Sequence, residues 1–185
     1  MSLKSFLDIN WIYTNLYGDN VKLLKNVYTH SSKVAQKALK IADEKKLDLD
    51  RKIIYCAAML HDIGVVKCYA PDINANGPLP YIQHGVEGQK ILQHYGLTMF
   101  DKVCERHTGS GITAIEIKQQ QLPLPHRDML PVSLLEKLIC YADKFYSKGG
   151  DLEREKSIPE IEKQLERFGE SSLKRFKELH QLFNS

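Results

Sequence analysis

Apolar positions recur at intervals of three and four along most of the chain, the spacing of a helix with one buried face. Leu3, Phe6, Leu7, Trp11 and Leu16 form a first stripe, which Gly18-Asp19-Asn20 ends. Leu23, Leu24, Val27, Val34, Ala38 and Ile41 predict a long helix from about Val21 to Lys45. Ile53, Ile54, Ala57, Ala58 and Leu60 predict another from Asp50 to His61. The stretch 67–81 carries Pro71, Asn74, Asn76, Gly77, Pro78 and Pro80 and reads as a loop. Helices follow from about His84 to Tyr95 and from Thr98 to His107, the latter stopped by Thr108-Gly109-Ser110-Gly111. A second loop covers Gln119 to Pro131, and Val132 to Tyr146 is the strongest late helix. The charged tail from Asp151 reads as two short helices, with Pro159 in a first turn and Gly169 between them. No segment alternates as a strand would, and no internal repeat stands out. The expected class is all-α, arranged as an N-terminal helix over 1–20, a main domain over 21–148 and a helical extension over 149–185.

Composition narrows the function classes. The chain has 185 residues, and its 43% hydrophobic share suffices for one real core. A formal net charge of +3, with acids and bases mixed, gives no electrostatic footprint for nucleic acid or a membrane surface. The start, Met1-Ser2-Leu3-Lys4-Ser5, lacks the apolar region of a signal peptide, and no apolar run is long enough to span a bilayer. Cys56, Cys68, Cys104 and Cys140 form no Cys-x-x-Cys pair and read as reduced, mostly buried thiols. A cytoplasmic protein is expected.

The candidate chemistry lies at helix ends. The run Ala57-Ala58-Met59-Leu60 ends in His61-Asp62, followed by Ile63-Gly64. Imidazole and carboxylate both bind borderline divalent metals. Neighbours on a helix point about 100° apart, so one cation reaches both only at a helix end or in a cleft. Gly64 suits such an end, because glycine takes the left-handed conformation that closes a last turn. His30 shares the apolar face of Val27 and Val34, and Asp143 stands four after Ile139. A charged Asp on an apolar face needs compensation, from a metal or from an Arg or Lys partner. Taken singly, a buried His is more often a hydrogen-bonded core residue than a ligand.

The ordered set of His30, then His61-Asp62-Ile63-Gly64, then Asp143 within Tyr141-Ala142-Asp143-Lys144, resembles the HD-domain superfamily of metal-dependent phosphohydrolases, in its His-Asp-Ile-Gly-bearing branch. The resemblance covers about Val27 to Lys148 and implies an HD-domain helical bundle. It also implies that His30, His61, Asp62 and Asp143 bind a divalent metal. In two-metal relatives further histidines precede the fourth helix and end the next, which implies that role for His84 and His107. The alternatives are a helix-capping His84 and a phosphate-contacting His107. The downstream Gly-Tyr-Pro signature of cyclic di-nucleotide phosphodiesterases is missing, as are the long basic segments of alarmone and triphosphohydrolase relatives.

The resemblance implies hydrolysis of a phosphate ester or anhydride in a nucleotide-like small molecule, through a metal-activated water. Asp62 is expected as ligand and base, and His84 or His107, if not ligands, as proton donors to the leaving oxygen. Lys67, Arg106 and Lys144 are the candidate phosphate contacts, against structural ion pairs or, for Lys67, a plain exposed lysine. Mixed N/O ligation suits one or two ions of Mn, Fe, Co, Ni or Zn. His94 and His180 are expected at the surface, and His126 in a solvated loop. Two rival readings remain: an HD-fold di-iron oxygenase, and a non-catalytic ligand-binding or regulatory module.

Overall fold

The computed structural model describes residues 8–184. Among them the main elements are nine helices: α1 (Ile9–Tyr17), α2 (Val21–Glu44), α3 (Arg51–Leu60), α4 (His84–His94), α5 (Thr98–Arg106), α6 (Ala114–Gln119), α7 (Leu134–Asp143), α8 (Ile158–Glu166) and α9 (Glu170–Asn184). Three two- or three-residue strands accompany them: β1 (Cys68–Ala70), β2 (Ala75–Asn76) and β3 (Leu79–Pro80). The class is all-α. No helix among the described residues is long and apolar enough to cross a membrane.

Side-chain caps fix where several helices begin. Asp8, Asn20, Asp50 and Ser133 each accept a backbone N–H from the first turn of α1, α2, α3 and α7. Thr113 and Glu116 form a reciprocal capping box at α6, and Glu160 accepts from the Ser157 N–H at α8, where Pro159 lies in the first turn.

The core forms where α2 packs against α3 and α7, and where α4 packs against α5 and against a 3-10 turn at Ile63–Lys67. Val27, Val34 and Ala38 of α2, Ile54, Ala57 and Leu60 of α3, and Leu138 and Ile139 of α7 are wholly buried in it. Helices α1 and α9 both join the same core. Tyr13 of α1 donates a hydrogen bond to the Met59 carbonyl at 2.5 Å. Phe176 and Phe183 of α9 pack on the Tyr141 ring, and the Tyr141 hydroxyl meets His180 Nδ1 at 2.8 Å.

Four features differ from the sequence reading. First, α1 buries Ile9, Ile12, Tyr13 and Tyr17, while Trp11 is exposed. The stripe placed Trp11 wrongly, while Leu16 does pack half-buried against the core; Tyr13, whose hydroxyl is hydrogen-bonded, and Tyr17 serve as core residues here. Leu3, Phe6 and Leu7 lie outside the described residues. Second, the loop 67–81 holds a small sheet of order β2-β1-β3, antiparallel between β1 and β2 and parallel between β1 and β3. Its strands are too short to show alternation. Asn20, the cap of α2, and Asn26 within it donate to the Asn74 and Ile73 carbonyls and fasten this sheet to the bundle.

Third, α6 lies in a stretch too short for a helical period to be read. Fourth, His180 is half-buried on Tyr141 rather than at the surface, whereas His94 and His126 are exposed.

Candidate metal centre

The site forms where α2, α3, α4, α5 and α7 converge. His30 comes from the middle of α2, one turn from Val27 and from Val34, and is wholly buried like both. His61 caps the end of α3, and Asp62 follows with φ −109° and ψ 8°, so the backbone leaves the helix between the two. That bend removes the 100° divergence: His61 Nε2 lies 3.2 Å from Asp62 Oδ2. Asp143 is the last residue of α7. His84 opens α4 and His107 caps α5.

Gly64 holds this arrangement together by a different route from the one expected. It is absent from the residues with positive φ, and a Cβ there would lie 2.0 Å from the His84 carbonyl oxygen and 2.3 Å from the Gly88 nitrogen. Its role is close approach: it lets the backbone of α4 lie on the turn that carries Asp62. Gly85 acts similarly toward α5, where a Cβ would come within 2.7 Å of the Cys104 carbonyl oxygen. Gly109, with φ 59°, does take the left-handed region and turns the chain just after His107.

The ligand atoms fall into two groups. His30, His61, Asp62 and Asp143 each bring one donor atom within 4.8 Å of the others, and so do Asp62, His84 and His107. In the first, His30 Nε2 lies 2.9 Å from Asp143 Oδ1 and 3.3 Å from Asp62 Oδ2. In the second, Asp62 Oδ1 lies 3.5 Å from His84 Nε2 and 3.2 Å from His107 Nε2. Asp62 thus turns one oxygen toward each group.

The tautomers follow from the backbone. Nδ1 of His61, His84 and His107 sits 2.6, 2.8 and 2.8 Å from the carbonyl oxygens of Ala58, Tyr81 and Cys104. A carbonyl only accepts, so each Nδ1 carries a hydrogen, and the neutral rings of His84 and His107 present an Nε2 lone pair inward. Nε2 of His84 and of His107 face one another at 3.0 Å. Two lone pairs at that distance repel unless a proton or cation lies between them.

Charge reinforces this. Burial opposes the ionised form of Asp62, yet His61 and Lys148 hold it well below the usual carboxylate range. Burial likewise opposes Asp143, and Lys144 and Lys148 hold it low. Burial would lower His61, but Asp62 and Asp143 lift it to about 9. Burial, aided by His107, lowers His84 to about 3, and burial lowers His107 also. Two neutral imidazoles therefore stand beside a carboxylate-held imidazolium. His61 Nε2 and both Asp62 oxygens are buried without a hydrogen-bond partner, and Asp62 Oδ2 lies within ion-pair distance of His61 Nε2 and of Lys148. Orphaned donors of these types, converging from several elements, fit divalent cations.

Of the candidate phosphate contacts, Lys144 lies in the site: its Nζ is 2.6 Å from Asp143 Oδ2 and donates to the His107 carbonyl at 3.1 Å. Arg106 pairs with Glu136 at 2.8 Å and lies outside the lining of the adjoining cavity. Lys67 is exposed and also lies outside that lining. Lys148, which the sequence reading did not single out, places its Nζ 2.9 Å from Asp62 Oδ2 and 3.8 Å from Asp143 Oδ1. No periodicity announces it, because the chain has already left α7 and folds back. Tyr81, stacked on His84 with ring centroids 4.7 Å apart, was also missed.

A cavity of about 390 Å³ opens beside the second ligand group. Tyr81, His84, His107, Asp143, Lys144 and Lys148 line one part, and Ile82, the turn after His107, Glu116 of α6, the following loop and the C-terminal extension line the rest.

Comparison with known proteins agrees with this geometry. The family model of the HD domain matches residues 27–147. An uncharacterized protein of Methanocaldococcus jannaschii is 32% identical over 148 residues, 76% of this chain and 78% of that protein. A tRNA (cytidine(56)-2'-O)-methyltransferase of Picrophilus torridus is 33% identical over 122 residues, 65% of this chain and 31% of that protein. Its namesake in Thermoplasma volcanium is 29% identical over 112 residues, 60% of this chain and 29% of that protein. The chain thus spans under a third of these two methyltransferases. No solved structure gives a significant match.

Proposed function

The chain belongs to the HD-domain superfamily of metal-dependent phosphohydrolases, and from that premise we propose that it is a two-metal hydrolase of a small phosphorylated, nucleotide-like molecule. The observation that carries the proposal is Asp62, whose two oxygens face two separate ligand groups beside an open cavity. His30, His61, Asp62 and Asp143 would hold one ion, and Asp62, His84 and His107 the other. Bound there, divalent ions would supply Lewis-acid polarisation of a phosphoryl oxygen and a more acidic water. The donor set suits Mn, Fe, Co, Ni or Zn.

The residues themselves orient and balance charge. The ammonium groups of Lys144 and Lys148 line the cavity and suit the equatorial oxygens of a phosphoryl group. Lys144 is aimed by its bonds to Asp143 and to the His107 carbonyl. His84 and His107 lack a proton on Nε2, which favours ligation over protonation of the leaving oxygen. The partial match to methyltransferases leaves no ground for assigning methyl transfer to this chain.

The test is phosphate release by purified protein loaded with Mn, Co, Ni or Mg, over a panel of nucleotides and sugar phosphates. Hydrolysis with a transition metal, abolished by chelator and by Asp62→Ala, is expected. No release with any metal would overturn the proposal, and oxygen uptake by iron-loaded protein would point to the oxygenase instead.

A further inference from the structure

The cavity is uneven in charge, and that bears on the substrate. Three cationic side chains line it, Lys144, Lys148 and Arg175. Lys144 and Lys148 lie at the ligands, within 2.6 and 2.9 Å of Asp143 and Asp62. Arg175 belongs to the part lined by α6 and α9, and its Nε and Nη2 are already engaged. It donates to the Ser110 carbonyl at 3.2 Å, to the Gly111 carbonyl at 2.8 Å and to Glu116 at 2.9 Å. Away from the ligands the wall offers the Glu116 carboxylate, the Gln120 amide and the apolar side chains of Ile112, Leu122 and Phe168. A second or third phosphate leading from the metal end would meet hydrocarbon and the Arg175–Glu116 pair, whose carboxylate already balances the guanidinium, with no lysine beside it.

Phe168 adds a positive selection. It is 56% exposed although aromatic, and it stands in the cavity lining between α8 and α9. An exposed ring at a cavity mouth is suited to covering a flat group. A cavity of about 390 Å³ has room for one phosphate and one ring system.

Resting on the phosphohydrolase reading, we infer that the substrate is a phosphate monoester whose leaving group carries a flat, uncharged ring. Ile112, Leu122 and Phe168 contact that ring, and the Arg175–Glu116 pair holds the wall on which they stand. The Arg175 clasp ties α9 to α6 and to the turn after His107, which makes Arg175 a positioning residue.

The experiment uses full-length protein loaded with Mn. It compares a nucleoside monophosphate, its di- and triphosphate, and glycerol phosphate as a ringless monoester. The expected order in kcat/KM is monophosphate at least tenfold above the di- and triphosphates. In Phe168→Ala the ratio of kcat/KM between nucleoside monophosphate and glycerol phosphate should fall about tenfold, the usual loss of one stacking platform. Equal or better turnover of the triphosphate would overturn the inference while leaving the phosphohydrolase reading intact, and so would an unchanged ratio in Phe168→Ala. No release from any of the four would overturn both. Arg175→Ala should raise KM for the nucleoside monophosphate more than it lowers kcat, with Arg175→Lys restoring part of the loss. A fall in kcat alone would count against the positioning role.

Discussion

His61 shares its surroundings with two carboxylates, and its proton occupies the place that a cation would take. Because Asp62 and Asp143 lift it to about 9, above its ordinary value of 6.5, its charge stabilises the metal-free fold fully below pH 6.5. That contribution fades as pH rises through about 9. A metal binding at Nε2 must displace the proton. Affinity of the first ligand group should therefore tighten by up to about tenfold per pH unit between pH 7 and 9 and level off above. Titration calorimetry at several pH values checks this, and a dissociation constant flat across that window would contradict it.

Lys148 acts in the same sense. Its ammonium, near Asp62 and Asp143, balances buried carboxylates whenever no metal does. Lys148→Met should destabilise the metal-free protein by about 3 kcal/mol, the usual cost of breaking a largely buried pair. The metal-loaded protein should lose much less. Equal losses in thermal melts of the two forms would show that Lys148 is not a stand-in for the ions. The same lysines alter the expectation for Asp143, whose carboxylate has both a basic partner and a place in the first cluster of candidate ligands.

Among the elements, the junction of α4 with the turn after α3 decides the site. Gly64 lies against the His84 carbonyl and Gly88 so closely that Gly64→Ala must push α4 away. Overpacking against backbone should cost on the order of 3 kcal/mol or more, and it should also lower metal content by displacing His84. Gly88→Ala, whose Cβ would meet the Cys104 sulfur at 3.1 Å, should cost less. A wild-type melting temperature and metal content in Gly64→Ala would refute this account of the junction. The sequence marked Gly64 as special without showing why. Its close neighbours come from a helix twenty residues on, and local spacing carries no record of them. For α1, by contrast, the helix was legible and its buried face was not, because the choice between Trp11 and Tyr13 rests on the Met59 carbonyl waiting in another helix.

Across the whole molecule, the residues that converge in the first cluster were legible because they sit where an apolar stripe meets a titratable group: His30 between Val27 and Val34, Asp143 after Ile139. The division of the candidate ligands into two groups was not, since it depends on which oxygen of Asp62 faces which helix. The cavity wall was hidden for the same reason. Phe168, Ser172 and Arg175 come from the extension, beyond the stretch that the HD domain matches, and reach the site through the docking of α9 on α7 and the Arg175 clasp to α6 and the turn after His107. Metal content measured by elemental analysis on saturated, dialysed protein tests the centre of the account. Wild type should retain close to two ions per chain, and His84→Ala and His107→Ala should each fall toward one while still folded. One ion per chain in wild type, unchanged in both variants, would contradict it.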